Sequence, residues 1–423
     1  MPVFDNYISK TQALLQYGKP VSDIAVYTGD EMPRRSIMPE RLTSTLPGLF
    51  SEKTLQKEAA RKANVGQPIE VSPVGVTHTK NMTKADDWVN SLNGYRYDSF
   101  NHDVLNECKI ENGKLITKGG TVYSTLVVPQ QRPMNPDRIV TCWNTIDSIS
   151  KLGVPVIKDV WTKSDLSSIG IQRDITLPEG IDFTHRHATD ADIYFLSNQS
   201  NEAKQFSPVF RDTRKYCYTV DAENDRIMEK GNSMEISLPS GNAIFYVFTD
   251  KEIPAQYLYQ PKTTGEMMPL ANKSWHVTFE TTGRTMEMTE LKDWTSFPDN
   301  DIRYYSGHAA YETTFKYKKM PAKDEAVLLD LGKVENLATV YVNGKQCATA
   351  WRTPYVVDIT EALKKGENKL KIVVVNTWAN AIQGSDEGKA PFKGIWTNAK
   401  YRRASKELLP AGLLGPVSIT TCK

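Results

Sequence analysis

Charge of one sign is missing from this sequence: 52 Lys and Arg face 50 Asp and Glu, a formal net charge of +2 over 423 residues. That balance argues against a dedicated nucleic-acid binder, which presents a strongly basic face. No uninterrupted apolar run approaches the roughly 18 residues of a membrane span, so no membrane partner is expected. The opening residues, MPVFD, carry neither a basic nor an apolar signal region, and no secretory leader is expected at this start. Cysteine is scarce. Cys108, Cys142, Cys217, Cys347 and Cys422 are scattered, and none forms a C-x-x-C pair. Neither a disulfide framework nor a zinc cluster is expected from them. Among the six His, only His185 and His187 are close. They would share one face of a strand but lack a third ligand nearby, so no metal site is expected. A phosphate loop is missing too, because Gly119-Gly120 is followed by a strand pattern and not by a helix. There is no G-x-S-x-G elbow.

With 39% hydrophobic and 24% charged residues, the composition is that of a soluble globular protein. At roughly 150 residues per domain the length predicts two or three domains. Residues 1–20 read as a helix stopped by Gly18-Lys19-Pro20, and VSDIAVY (21–27) as a buried strand. Helices are expected over 51–63 and 85–92. From Tyr95 an α/β alternation follows: TLVV (125–128) is a strand, and Ile139, Val140, Trp143, Ile146, Ile149 and Leu152 form a helical stripe. Gly153 ends that helix and VPVI (154–157) is the next strand, which makes a parallel βαβ unit. DIYFL (192–196) adds a later strand, and a mainly parallel sheet is expected for this domain. The helical signal fades after about residue 200, and 251–272, with three prolines, reads as a linker.

From 273 to 423 the pattern is all β. Ala338, Val340 and Val342 face one way, Thr339 and Tyr341 the other, and Asn343-Gly344 follows as a hairpin turn. Such alternation predicts a jelly-roll sandwich. It is rich in aromatics, and sugar rings have apolar faces that stack on them. Trp351, Tyr355, Trp378 and Trp396 are the candidates for carbohydrate contact, with core or loop packing as the competing reading. A glycosidase needs two facing carboxylates. Asp30-Glu31 is the best placed acidic group, just past the first strand, although surface loops are often acidic as well. Asp98, His102 and Asp103 form a looser group of the same kind.

Residues 328–344 (LLDLGKVENLATVYVNG) resemble the sugar-binding sandwich of glycoside hydrolase family 2. More closely, Trp351…Pro354…Asp358-Ile-Thr, Val375-Asn-Thr-Trp378-x-Asn380 and Gly412-Leu-Leu-Gly-Pro-Val417 resemble the C-terminal end of family 106 α-L-rhamnosidases. Gly29-Asp-Glu-x-Pro33, Gly94-Tyr-x-Tyr-Asp98, Tyr123-x-x-Leu-Val-Val-Pro129 and His185-Arg with Asp192-Ile-Tyr-Phe are similar to that family's amidotransferase-like domain, which is not an amidotransferase. One departure is Asn380-Ala-Ile-Gln-Gly-Ser385, where the family has Asn-Arg-Leu-Ile-Gly-Asp.

The resemblance implies a multidomain α/β plus all-β chain. A flavodoxin-like, amidotransferase-like parallel sheet (21–250) would be followed by a galactose-binding-like jelly roll (273–423), with 1–20 as the last helix of a catalytic barrel. In the family that barrel carries the catalytic acids and a calcium site, so no catalytic residue, metal or cofactor is carried over onto this chain. The expected function is the non-catalytic C-terminal region of an α-L-rhamnosidase-like hydrolase acting on plant or bacterial polysaccharide. Its partners would be a rhamnose-containing glycan and an upstream barrel on a separate chain, and the family points to a periplasmic or secreted setting. The alternative is a free-standing carbohydrate-binding protein.

Overall fold

In the computed structural model the described residues are 2–27, 56, 94–128, 136–157, 165–230, 234–260, 264–271, 273–395 and 407–423. Asp30, Glu31, Trp396 and the helices expected over 51–63 and 85–92 therefore lie outside them, apart from Gln56. Two compact units divide between Tyr259 and Gln260. Most of the regular structure is β.

The first unit opens with helix α1 (Pro2–Leu15) and the short strand β1 (Lys19–Pro20). A parallel sheet follows, built from β2 (Ile24–Tyr27), β3 (Tyr97–Phe100), β4 (Thr125–Val127) and β5 (Val156–Ile157) in the order β3-β2-β4-β5. Helix α2 (His102–Glu107) follows β3, and α3 (Pro136–Lys151) joins β4 to β5 as the periodicity predicts. All four residues of β2 are buried because both faces of the sheet are covered. Ala25 and Tyr27 pack with Ile146 and Ile149 of α3, while Ile24 and Val26 pack with Leu166 and Ile171.

The larger sheet of this unit is antiparallel, which corrects the expectation of a mainly parallel one. Its strands are β6 (Ile181–His187), β7 (Ala191–Asn198), β8 (Tyr216–Asp221), β9 (Arg226–Glu229) and β10 (Ala243–Thr249), in the order β1-β6-β7-β10-β8-β9. The strand containing DIYFL belongs here, so β structure takes over before residue 200. The reason is local: β6 and β7 are joined by a tight turn, and a turn that short permits only antiparallel pairing. Tyr7, Leu14 and Leu15 of α1 pack against Ile193 and Phe245 on one face. Tyr194, Leu196, Tyr246 and Phe248 form the core of the other.

The second unit is a two-sheet sandwich. One sheet holds β12 (Trp275–Phe279), β13 (Arg284–Met288), β14 (His308–Tyr317), β17 (Leu337–Val342), β18 (Lys345–Ala350) and β20 (Gly366–Val375), ordered β13-β12-β14-β20-β17-β18. The other holds β11 (Thr264–Pro269), β15 (Ala326–Asp330), β19 (Val356–Asp358) and β22 (Ser418–Cys422), ordered β11-β22-β15-β19. A two-stranded ribbon pairs β16 (Lys333–Glu335) with β21 (Gly412–Gly415). Two short helices, α4 (Asn300–Arg303) and α5 (Ala379–Asp386), complete it. The stretch expected as a linker over 251–272 contains β11, which pairs with β22. Its prolines obscured it: Pro261 precedes the strand and Pro269 is its last residue, where no continuing ladder needs an N–H.

Alternating residues fill the space between the sheets. Ala338, Val340 and Val342 are fully buried, as are Val277, Phe279, Tyr311, Leu329, Ile372 and Val374. Each large one contributes roughly 1.5–3 kcal/mol relative to exposure. Trp294 donates its indole N–H to the Tyr311 hydroxyl at 2.6 Å, and that hydroxyl accepts from the Leu413 N–H at 3.2 Å. The ribbon is thereby fixed to the six-stranded sheet.

Candidate functional site

The aromatic candidates of the sandwich separate once their surroundings are known. Tyr355 is 9% exposed, and its hydroxyl donates to the Asn336 carbonyl at 3.0 Å. Burial pushes that phenol up to about 12. Tyr355 is thus part of the core. Trp351 follows β18, is half-buried, and has the Arg352 guanidinium 5.7 Å from its ring. Trp378 starts α5 and is 56% exposed, whereas Trp275 and Trp294 are at most 1% exposed. Its ring meets the edge of Phe392 at 6.1 Å and 79°. Trp396, like Asp30 and Glu31, lies outside the described residues.

Strand register brings several of these groups to one end of the six-stranded sheet. Ala350 pairs with Ala338, Ala338 with Val374, and the Asn336 N–H donates to the Val375 carbonyl at 3.2 Å. Glu335 and Asn336, which lead into β17, therefore share a rim with Trp351, which leaves β18, and with Asn376 to Trp378, which leave β20. The Asn376 amide fixes this exit. It donates to the Tyr305 carbonyl at 2.9 Å and accepts from the Gly307 N–H at 2.9 Å. Glu335 is 22% exposed at its side chain and lies 3.2 Å from the Lys333 ammonium. Burial raises its pKa, and the Asp293 charge adds to that. On the same unit Glu387 is held down to about 2 by hydrogen bonds from Gln383, Tyr304 and Lys389. Glu335, Phe392 and Glu387 were not singled out by sequence reasoning, since nothing in a linear pattern marks which strand ends share a rim.

The first unit holds a second concentration of polar groups. His185 and Asp192 sit on facing strands of the β6–β7 hairpin, and both are buried together with Asp174. The His185 Nδ1 lies 3.1 Å from Asp174 and its Nε2 3.3 Å from Asp192. Asp192 also takes His187 Nδ1 at 2.6 Å and Arg214 Nε at 2.6 Å. Tyr194 stacks on the His185 ring at 3.9 Å and donates to Asp174 at 3.0 Å. With a carboxylate facing each nitrogen, the geometry favours the doubly protonated ring. Burial alone would push its pKa down, but the hydrogen bonds to Asp174 and Asp192 reverse this, and the net shift is upward. For Asp192 burial works upward, and the bonds from His185, His187 and Arg214 carry it well below the usual range.

Asp174, His185 and Asp212 bring ligand atoms within 4.8 Å of one another, the spacing of a metal site. A cation of another kind already serves that spot. Arg211 bridges Asp174 at 3.5 Å, Asp212 at 3.3 Å and Asp23 at 2.5 Å. The sequence pair His185/His187 thus meets on one strand face around Asp192, as part of a network of hydrogen bonds and ion pairs. The looser group near residue 100 is also locally tied, with Asp98 accepting from Tyr123 at 2.8 Å and His102 bonded to Asn106 at 2.9 Å. The two buried carboxylates, Asp174 and Asp192, are each held by fixed donors.

Residues 277–407 match the family described as glycosyl hydrolase 2 galactose-binding domain-like. That span includes Glu335, Trp351, Trp378 and Phe392. A putative β-glucuronidase of Formosa agariphila is 31% identical over 251 residues, which is 49% of this chain and 21% of that protein. A rhamnosidase from Novosphingobium sp. PP1Y has a similar structure, with a TM-score of 0.64 and 25% identity over 99% of this chain and 41% of its own. The chain is thus related to glycoside hydrolases and carries a galactose-binding-like domain. It spans about a fifth of the curated relative (21%) and about two fifths of the rhamnosidase (41%).

Proposed function

We propose that this chain is a non-catalytic, carbohydrate-facing region of an α-L-rhamnosidase-like glycoside hydrolase. It combines an amidotransferase-like unit with a sugar-binding-type sandwich and works beside a catalytic barrel that supplies the acids. The observation that carries this reading is the similarity to the Novosphingobium rhamnosidase along 99% of the chain. The tied state of the buried carboxylates Asp174 and Asp192 supports it, because a glycosidase needs one carboxyl free to give a proton and another free to attack or to activate water. The calcium of family 106 has no role in this reading, since no residue of this chain is assigned to it.

Two measurements test it. The purified chain should leave an aryl α-L-rhamnoside intact over hours, and turnover would sink the non-catalytic reading. It should also be retarded in native gels containing a rhamnose-rich polysaccharide, and unchanged mobility would remove the carbohydrate-facing part.

A further inference from the structure

We propose that Asn112 is a site of spontaneous covalent modification, a deamidation from which Asn343, in the same local sequence and the same kind of turn, is protected. The reaction needs only water. The backbone nitrogen of Gly113 attacks the Asn112 Cγ and gives up its proton, the side-chain amide leaves as ammonia, and a five-membered imide closes. Water then opens that ring at either carbonyl. One opening gives aspartate, and the other gives isoaspartate, with the main chain rerouted through the side-chain carbon. A following glycine favours the attack because it has no side chain to hinder it.

The chain carries its own matched pair. Residues 112–114 and 343–345 are both Asn-Gly-Lys. Both Asn-Gly pairs are the two central residues of a hairpin turn. Glu111 faces Lys114 across the first, between the strands Lys109–Glu111 and Lys114–Ile116, and Val342 faces Lys345 across the second. Asn112 and Gly113 have φ of 52° and 69°, and Asn343 and Gly344 have 52° and 82°. Neither local sequence nor turn type therefore separates the two amides.

Their side chains differ. The Asn343 amide donates to the Ala362 carbonyl and to the Asn368 Oδ1, both at 2.8 Å, and its oxygen accepts from the Lys369 N–H at 3.1 Å. Asn343 is also half-buried, and its own N–H donates to the Lys369 carbonyl at 2.8 Å. To bring its Cγ against the Gly344 nitrogen, the side chain must rotate and give up those amide bonds. Asn112 is exposed, and its amide has no hydrogen-bond partner among the described residues. It can therefore sample the attacking rotamer without breaking a contact. A tenfold difference in rate corresponds to about 1.4 kcal/mol of barrier, within the net worth of one or two hydrogen bonds. The product has a structural consequence. Gly113 lies so close to Gly153 that a Cβ on it would meet the Gly153 carbonyl oxygen at 2.9 Å. Isoaspartate adds one carbon to the main chain of this turn, which displaces its contact with the segment just after α3.

The test is peptide mapping by mass spectrometry of the whole folded chain, aged in mildly alkaline buffer at physiological temperature and digested at acid pH so that no further amide is lost. Asn112 should be converted to aspartate and isoaspartate at least about tenfold faster than Asn343. A parallel sample aged in denaturant should show the two rates converging, because the local sequences match. An Asn112 that stays intact, or an Asn343 that is modified as fast in the folded chain, overturns the proposal. So does a difference that persists in denaturant, since it would not come from the fold.

Discussion

His185 concentrates the electrostatics of the first unit in one side chain. Its raised pKa means that folding holds a proton which the unfolded chain releases above its ordinary value of 6.5. The stabilisation is therefore complete below that value and is lost as pH rises through the folded-state pKa, at most about 1.4 kcal/mol per pH unit. Thermal melts at increasing alkaline pH should show the first unit weakening, and His185→Gln should flatten that dependence. The same substitution should cost about 3–5 kcal/mol near neutrality, because it leaves two buried carboxylates without their shared cation. Tyr355 gives a contrasting case. Tyr355→Phe removes one hydrogen bond and should lower stability by about 1 kcal/mol in a denaturant titration, with polysaccharide retardation unchanged. The sequence marked Tyr355 and Trp378 alike as aromatic candidates. It could not separate them, because one hydroxyl finds a carbonyl nineteen positions away. Likewise His185-x-His187 was legible as a pair, but its partners Asp174, Arg211 and Arg214 come from loops that no local pattern links to it.

Among the elements, the β17–β18 hairpin is the most legible. Alternation fixed which face is buried, and Asn343-Gly344 take φ of 52° and 82°, as the two-residue turn requires. The sequence did not disclose the second task of Asn343. Its amide donates to the Ala362 carbonyl and to Asn368, both at 2.8 Å, and accepts from the Lys369 N–H at 3.1 Å. Asn343→Ala should therefore cost roughly 2–3 kcal/mol by differential scanning calorimetry, well beyond a simple turn defect. Asn343→Gly should recover only the part that belongs to backbone conformation. The antiparallel sheet was harder to read. Its strands are buried on one or both faces, and short apolar runs such as DIYFL look the same in either kind of sheet. The four parallel strands were easier, because the periodicity of α3 sits between two of them.

For the molecule as a whole, the boundary at Tyr259–Gln260 has a practical outcome. A fragment of residues 260–423 should fold alone into a cooperative β unit, since its core cluster draws only on residues from Leu270 onward. A fragment beginning at 273, where composition alone would cut, loses β11 and leaves β22 as an unpaired edge. It should melt lower and aggregate more readily, as size-exclusion chromatography and circular dichroism would show. Composition misplaced that cut because proline density resembles a linker, and only pairing reveals the strand between Pro261 and Pro269. The position of β22 matters in time as well as in space. It lies between β11 and β15, and it follows both in the chain, with β16 to β21 intervening. Until β22 is synthesised, the facing edges of β11 and β15 lack their common partner, so this sheet of the sandwich closes only once that strand is in place.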